Sequence, residues 1–157
     1  MAETDDHRRK YLVVIDDSPE CSRAVAYAAY RARRVGGGIV FLALIDTADF
    51  QQFLGVEEVM RAEALEEAER LIDTYLARVR AIDPATSVET LVREGRGTAP
   101  LEQLIAEDKD IAILVLAASA SGEGPLIAAF GHGGGSLHIP VTIIPGAMTD
   151  EEIQAVS

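Results

Sequence analysis

Three features of this 157-residue chain predict an α/β fold of the doubly wound type. Strand-like and helix-like segments alternate from end to end. The strand-like segments are apolar throughout, as expected where helices cover both faces of a parallel sheet. Glycine or proline marks many of the junctions between them.

Tyr11 to Ile15 reads as the first strand. Asp16-Asp17-Ser18-Pro19-Glu20 then opens a helix, with Ser18 as N-cap and Pro19 at the first helical position. Cys21, Ala24, Val25, Ala28, Ala32 and Val35 recur at helical spacing and give that helix a narrow apolar face. Arg31, Arg33 and Arg34 suit the negative end of its dipole, and Gly36-Gly37-Gly38 ends it. Ile39 to Ile45 is the second strand. After irregular residues 46–55, Val56 to Ile82 forms a long helix stopped before Pro84. Its stripe of Leu71, Ile72, Tyr75, Leu76 and Val79 docks on the sheet. Glu57–Arg61 and Glu66–Arg70 are (i, i+4) pairs on its solvated face, each contributing about 0.2–0.5 kcal/mol.

Ser87 to Arg93 is the third strand, and Thr98 to Glu107 a short helix entered through Pro100. The run Ile111 to Ala117 is the fourth strand, and it leads into Ser119-Ala120-Ser121-Gly122-Glu123-Gly124, where side chains almost vanish. Small residues there leave backbone amides open at the carboxyl edge of the sheet, where α/β proteins bind ligands. Leu126 to Phe130 forms a brief helix, and Val141 to Ile144 is a fifth strand bounded by Pro140 and Pro145. With neither repeat nor linker, residues 11–146 make one domain. A polar tail over 1–10 precedes it, and a tail over 147–157 follows with a last helical turn at Asp150 to Val156.

A formal charge of −12 argues against nucleic acid, whose binding rests on neutralising phosphates. His7-Arg8-Arg9-Lys10 reads as a solvated tail. The single cysteine forms no internal disulfide and fits a reducing compartment. Met1 to Lys10 lacks the apolar core of a signal peptide, and no apolar run approaches the ~20 residues that cross a bilayer. A cytoplasmic protein with no membrane partner is expected. The three histidines are widely separated, and no cluster has metal-ligand spacing. No nucleophile with a spaced base is visible, so no catalytic residue is assigned and the chain is not read as an enzyme. Cys21 reads as a packing residue. The Asp16-Asp17 pair suits a phospho-receiver domain, but Arg93-Glu94-Gly95 and Pro145-Gly146 stand where that fold needs an aspartate and a lysine.

Val13-Val14-Ile15-Asp16-Asp17-Ser18, the helix ending in glycines, Glu94-Gly95, Asp110-Ile111 through Ala118, and Ile139-Pro140-Val141-Thr142-Ile143-Ile144 together resemble the universal stress protein family. The likeness runs in order over residues 11–146. It implies a Rossmann-like sheet, similar to the adenine-nucleotide alpha-hydrolases, of five parallel strands in the order 3-2-1-4-5, with a crevice between strands 1 and 4. By the same resemblance Asp16 holds the ribose and adenine end of ATP, and backbone at Ile45 frames the adenine. Gly95 keeps the exit of strand 3 open. Ala118, Ser119, Ser121, Gly122, Gly124, Gly131, Gly135 and Ser136 line the phosphate side, with Mg²⁺ accompanying ATP. The family also pairs through its last strand, which implies a homodimer through Val141, Thr142, Ile143 and Ile144.

The phosphate motif of nucleotide-binding members is Gly-x-x-Gly, nine residues, then Gly-Ser or Gly-Thr. Counting from Ala118 places Ala118, Ser121, Gly131 and His132 at its positions; counting back from Gly135-Ser136 gives Gly122 and Pro125. Neither register is complete, and between Ala117 and Gly146 the only potential cations are His132 and His138. Two functions therefore stay open: a regulatory module that binds ATP or another adenine nucleotide, and a dimeric stress-response scaffold that binds none.

Overall fold

The computed structural model describes residues 9–48, 50, 55–119, 124, 126–128 and 137–157. Five strands, β1 (Lys10–Ile15), β2 (Gly38–Ile45), β3 (Val88–Glu94), β4 (Ile111–Ala117) and β5 (Val141–Ile144), form one sheet in the order β3-β2-β1-β4-β5. Every neighbouring pair is parallel. Four helices join or follow them: α1 (Cys21–Val35), α2 (Glu57–Ile82), α3 (Ala99–Glu107) and α4 (Asp150–Val156). Residues 126–128 are also helical. The expected doubly wound sheet is thus present, in the expected order.

Strand pleating divides the core in two. Tyr11, Val13, Ile15, Ile39, Phe41 and Ala43 point to the side packed by α1 and α2. Leu12, Val40, Leu42, Leu114 and Leu116 point to the side that holds Leu101, Leu104 and Ile105 of α3. This alternation is why β2, and β1 after Lys10, are apolar throughout. Both edge strands are wetter: β3 has three exposed positions, and Ile143 in β5 is 47% exposed.

Helix α1 ends as expected, with Gly36 left-handed (φ 68) and its amide bonded to the Ala32 carbonyl. Its start differs from expectation. Glu20, not Ser18, is the N-cap residue, and no side chain caps the helix. Ser18 is instead turned back to Asp16, which outcompetes the helix terminus for it. Val35 is 45% exposed and not part of the apolar face, while Ala26 and Ala29 are buried because α1 also packs against α2 and α4. On α2 the stripe docks as expected, and Glu57 pairs with Arg61. Arg70 pairs with Glu67 one residue closer, not with Glu66.

The C-terminal segment is a structural part of the fold. Thr149 accepts a bond from the Glu152 amide at 3.2 Å while Glu152 accepts one from the Thr149 amide at 3.3 Å, a reciprocal capping box. It starts a helix whose Ile153 is fully buried. Thr149→Ala should therefore cost about 0.5–2 kcal/mol and lower the melting temperature by a few degrees, read by thermal denaturation. Among the described residues no helix is long and apolar enough to cross a membrane.

Candidate functional site

The chain leaves β1 at Ile15 and must turn back over the sheet. Asp16 makes that turn: its Oδ1 accepts the Ser18 amide at 2.9 Å and the Ser18 hydroxyl at 2.5 Å. The same device follows β2, where Asp46 Oδ1 accepts the Ala48 amide at 3.1 Å. Each carboxylate spends one oxygen on its own turn. Asp16 Oδ2 has no hydrogen-bond partner among the described residues, and Asp46 Oδ2 faces Arg96 at 3.8 Å.

Arg96 stands in the loop after β3, between two glycines in left-handed conformations, Gly95 (φ 140) and Gly97 (φ 74). The Gly95 amide donates to the Ile45 carbonyl at 2.9 Å, which ties this loop to the end of β2. A methyl group on Gly95 would sit 2.8 Å from Pro100 Cγ, so α3 closes the other side. Only glycine meets both conditions.

These loops surround a cleft of about 340 Å³ at the carboxyl ends of β1, β2 and β4. Its floor and walls are apolar (Val14, Leu44, Leu116, Leu126 and Ile127), and among the described residues its charged groups are Asp16, Glu20, Asp46 and Arg96. An apolar concavity with a few convergent polar groups is the usual form of a small-molecule site. The chain leaves β1 for β2 through α1 on one face and enters β4 from β3 through α3 on the other, so the strand order reverses between β1 and β4 and a crevice opens there. Cys21 reaches the same cleft from the start of α1, with its Sγ 3.6 Å from the Val14 carbonyl oxygen. Burial pushes the Cys21 thiol up to about 11, and burial with the adjacent Cys21 pushes Tyr75 up to about 12. Both stay protonated at neutral pH, and the thiol is a packing group, not a thiolate nucleophile.

Of the residues expected in the site, Asp16, Gly95 and Gly124 line this cleft together. Ile45 is buried, its carbonyl is occupied by Gly95, and it borders a smaller depression of about 250 Å³ on the α2 side. Ala118 donates its amide to the Ile144 carbonyl at 2.9 Å, and the Ser119 carbonyl packs against Gly146; neither lines the cleft. Ser121, Gly122, Gly131, Gly135 and Ser136 lie outside the described residues. Asp46 and Arg96 are the site residues that sequence reasoning missed. Ile45-Asp46-Thr47-Ala48 repeats the strand-then-aspartate pattern of Ile15-Asp16-Asp17-Ser18, and that repetition could have found Asp46. Among the described residues no group of three or more His, Cys, Asp or Glu side chains is placed to hold a metal ion.

Solved structures share this architecture at low identity. The universal stress protein UspA from Lactobacillus plantarum is 18% identical, with 88% of this chain and 98% of that one covered and a TM-score of 0.72. A universal stress protein from Archaeoglobus fulgidus in complex with dAMP is 16% identical over 87% and 97% of the two chains, with a TM-score of 0.65. A universal stress protein in complex with cAMP is 18% identical over 90% and 99%, with a TM-score of 0.60. At such identities these structures show the fold alone. Comparison with curated proteins finds no significant match. The model of the universal stress protein family, however, matches residues 7–129. This chain belongs to the universal stress protein family.

Proposed function

We propose that this protein is a regulatory module that binds an adenine nucleotide in the cleft between β1 and β4, and that occupancy tilts a conformational or association equilibrium. The observation that carries this reading is Asp16. It stands in an apolar cleft with one oxygen fixed by its own turn and the other available. A carboxylate so placed suits the paired hydroxyls of a ribose, and the apolar walls suit a base. The two relatives in complex with cAMP and dAMP support the same class of ligand. ATP is the ligand the family resemblance implies; Mg²⁺ would then be needed to offset its charge against Asp16, Glu20 and Asp46. The module acts by binding, in the cytoplasm, and not by catalysis.

Melting the protein with and without AMP, ADP or ATP tests this. A ligand at ~100 times its dissociation constant adds about 2.7 kcal/mol, or about 5–10 °C for a chain of this size. A mass spectrum of small molecules released from freshly purified protein gives an independent check. No shift with any of the three, and no nucleotide released, would leave the scaffold reading in its place.

We propose also that the protein is a homodimer joined through β5. Among the described residues β5 is an edge strand, with no strand beyond it beside Val141, Thr142 and the half-exposed Ile143, and such edges seek a partner. Ile143→Glu should convert a dimer to a monomer in analytical ultracentrifugation. A wild-type monomer, or an unaffected dimer in the variant, overturns this interface.

A further inference from the structure

We propose that Arg96 reads the charge of the ligand: it exchanges Asp46 for a single phosphate group, so that the cleft takes nucleoside monophosphates in preference to triphosphates. This rests on the nucleotide reading above and goes beyond it, because the family resemblance placed the phosphate contacts in the loop after β4.

The position of Arg96 is fixed although its side chain is free to swing. The loop is tied to β2 by the Gly95 amide and backed by Pro100, which holds the Arg96 backbone at the lip of the cleft. The Arg96 side chain is 72% exposed, and its contact with Asp46 is 3.8 Å, a loose ion pair beyond hydrogen-bond range. Exposed pairs of this kind contribute little, so giving one up is cheap. A guanidinium on a phosphate forms two parallel charge-assisted hydrogen bonds and is the stronger arrangement. Asp46 remains anchored by the Ala48 amide when the pair opens, and the turn after β2 is preserved.

Charge then limits how many phosphates enter. Among the described residues Arg96 is the one cationic side chain lining the cleft, against the three carboxylates of Asp16, Glu20 and Asp46. The sequence from Ala117 to Gly146, which includes the segment after β4, holds neither lysine nor arginine. One guanidinium offsets about half or more of the charge of a single terminal phosphate, which is about −1.5 to −2 at neutral pH, and a smaller share of a triphosphate. Each further phosphate adds negative charge beside carboxylates without adding a cation, at a cost that grows as water leaves the site.

Isothermal titration of adenosine, AMP and Mg²⁺-free ATP into wild type, Arg96→Gln and Asp46→Asn tests the proposal at fixed ionic strength. Wild type should bind AMP at least tenfold tighter than adenosine, and tighter than ATP. Arg96→Gln should bring AMP down to the adenosine level while leaving adenosine unchanged. Asp46→Asn, which keeps the Oδ1 acceptor, should raise AMP affinity several-fold by removing the competing carboxylate. The proposal is overturned if Arg96→Gln leaves AMP unchanged, if it weakens adenosine equally, or if wild type prefers ATP. Failure of all three ligands to bind wild type overturns the nucleotide reading itself, a result distinct from these.

Discussion

Phe41→Ala should lower the unfolding free energy by about 3–5 kcal/mol and the melting temperature by about 6–20 °C. Phe41 is fully buried in the middle of β2, in register with Val13 on β1 and Thr90 on β3. It belongs to the core beneath α1, and the buried residues that α1 contributes there are mostly alanines: Ala24, Ala26, Ala28, Ala29 and Ala32. Alanine has no side-chain torsion with which to relax into a hole, and the β2 backbone is held on both sides. The cavity would stay open, which puts the cost in the upper part of the usual range. Phe41→Leu keeps most of the volume and should cost less than about 1.5 kcal/mol. Denaturant unfolding of the two variants gives the comparison. A loss below about 1 kcal/mol for the alanine variant would mean that the helix closes onto the sheet after all.

The same alanines explain why the fold could be read from the chain. Small residues on α1 and unbroken apolar runs in β1, β2 and β4 are consequences of a helix lying close on a sheet covered on both faces. Those patterns are local, so periodicity shows them. What escaped were choices made by competition between local options. Ser18 can cap a helix or close a turn on Asp16, and only the assembled loop decides. Arg70 can reach Glu66 or Glu67, each about one helical turn before it, and the side-chain rotamers decide which. The capping box of Thr149 and Glu152 went unread in the chain, and its value depends on Ile153 finding a core to enter.

The site was half legible for a related reason. Asp16 and Gly95 each end a strand, so the topology alone brings them to one edge. Arg96 and Asp46 meet across two loops from different strands, and no spacing in the chain relates positions 46 and 96. Their meeting depends on the bond from the Gly95 amide to the Ile45 carbonyl, a contact that exists only once β2 and β3 are paired. Sites drawn from several strand ends share this property: the residues are individually readable and their grouping is not.

Asp16→Ala should weaken adenine-nucleotide binding about 10- to 150-fold, because a hydrogen bond to a charged group contributes about 1.5–3 kcal/mol. Two effects are mixed in that variant. The carboxylate that would hold ribose is lost, and so is the acceptor that closes the turn on the Ser18 amide. Asp16→Asn separates them, since its amide oxygen can still accept from Ser18 while the charge is gone. If Asp16 acts on the ligand, the asparagine variant should melt close to wild type and still bind markedly less tightly. If Asp16 acts only on the loop, asparagine should restore binding along with stability. Asp17→Ala is the control: Asp17 is exposed and lines the depression on the α2 side, not this cleft, so its removal should leave the affinity within about twofold. Equal losses in Asp16→Asn and Asp17→Ala would point to the general acidity of this edge and would remove Asp16 from the site.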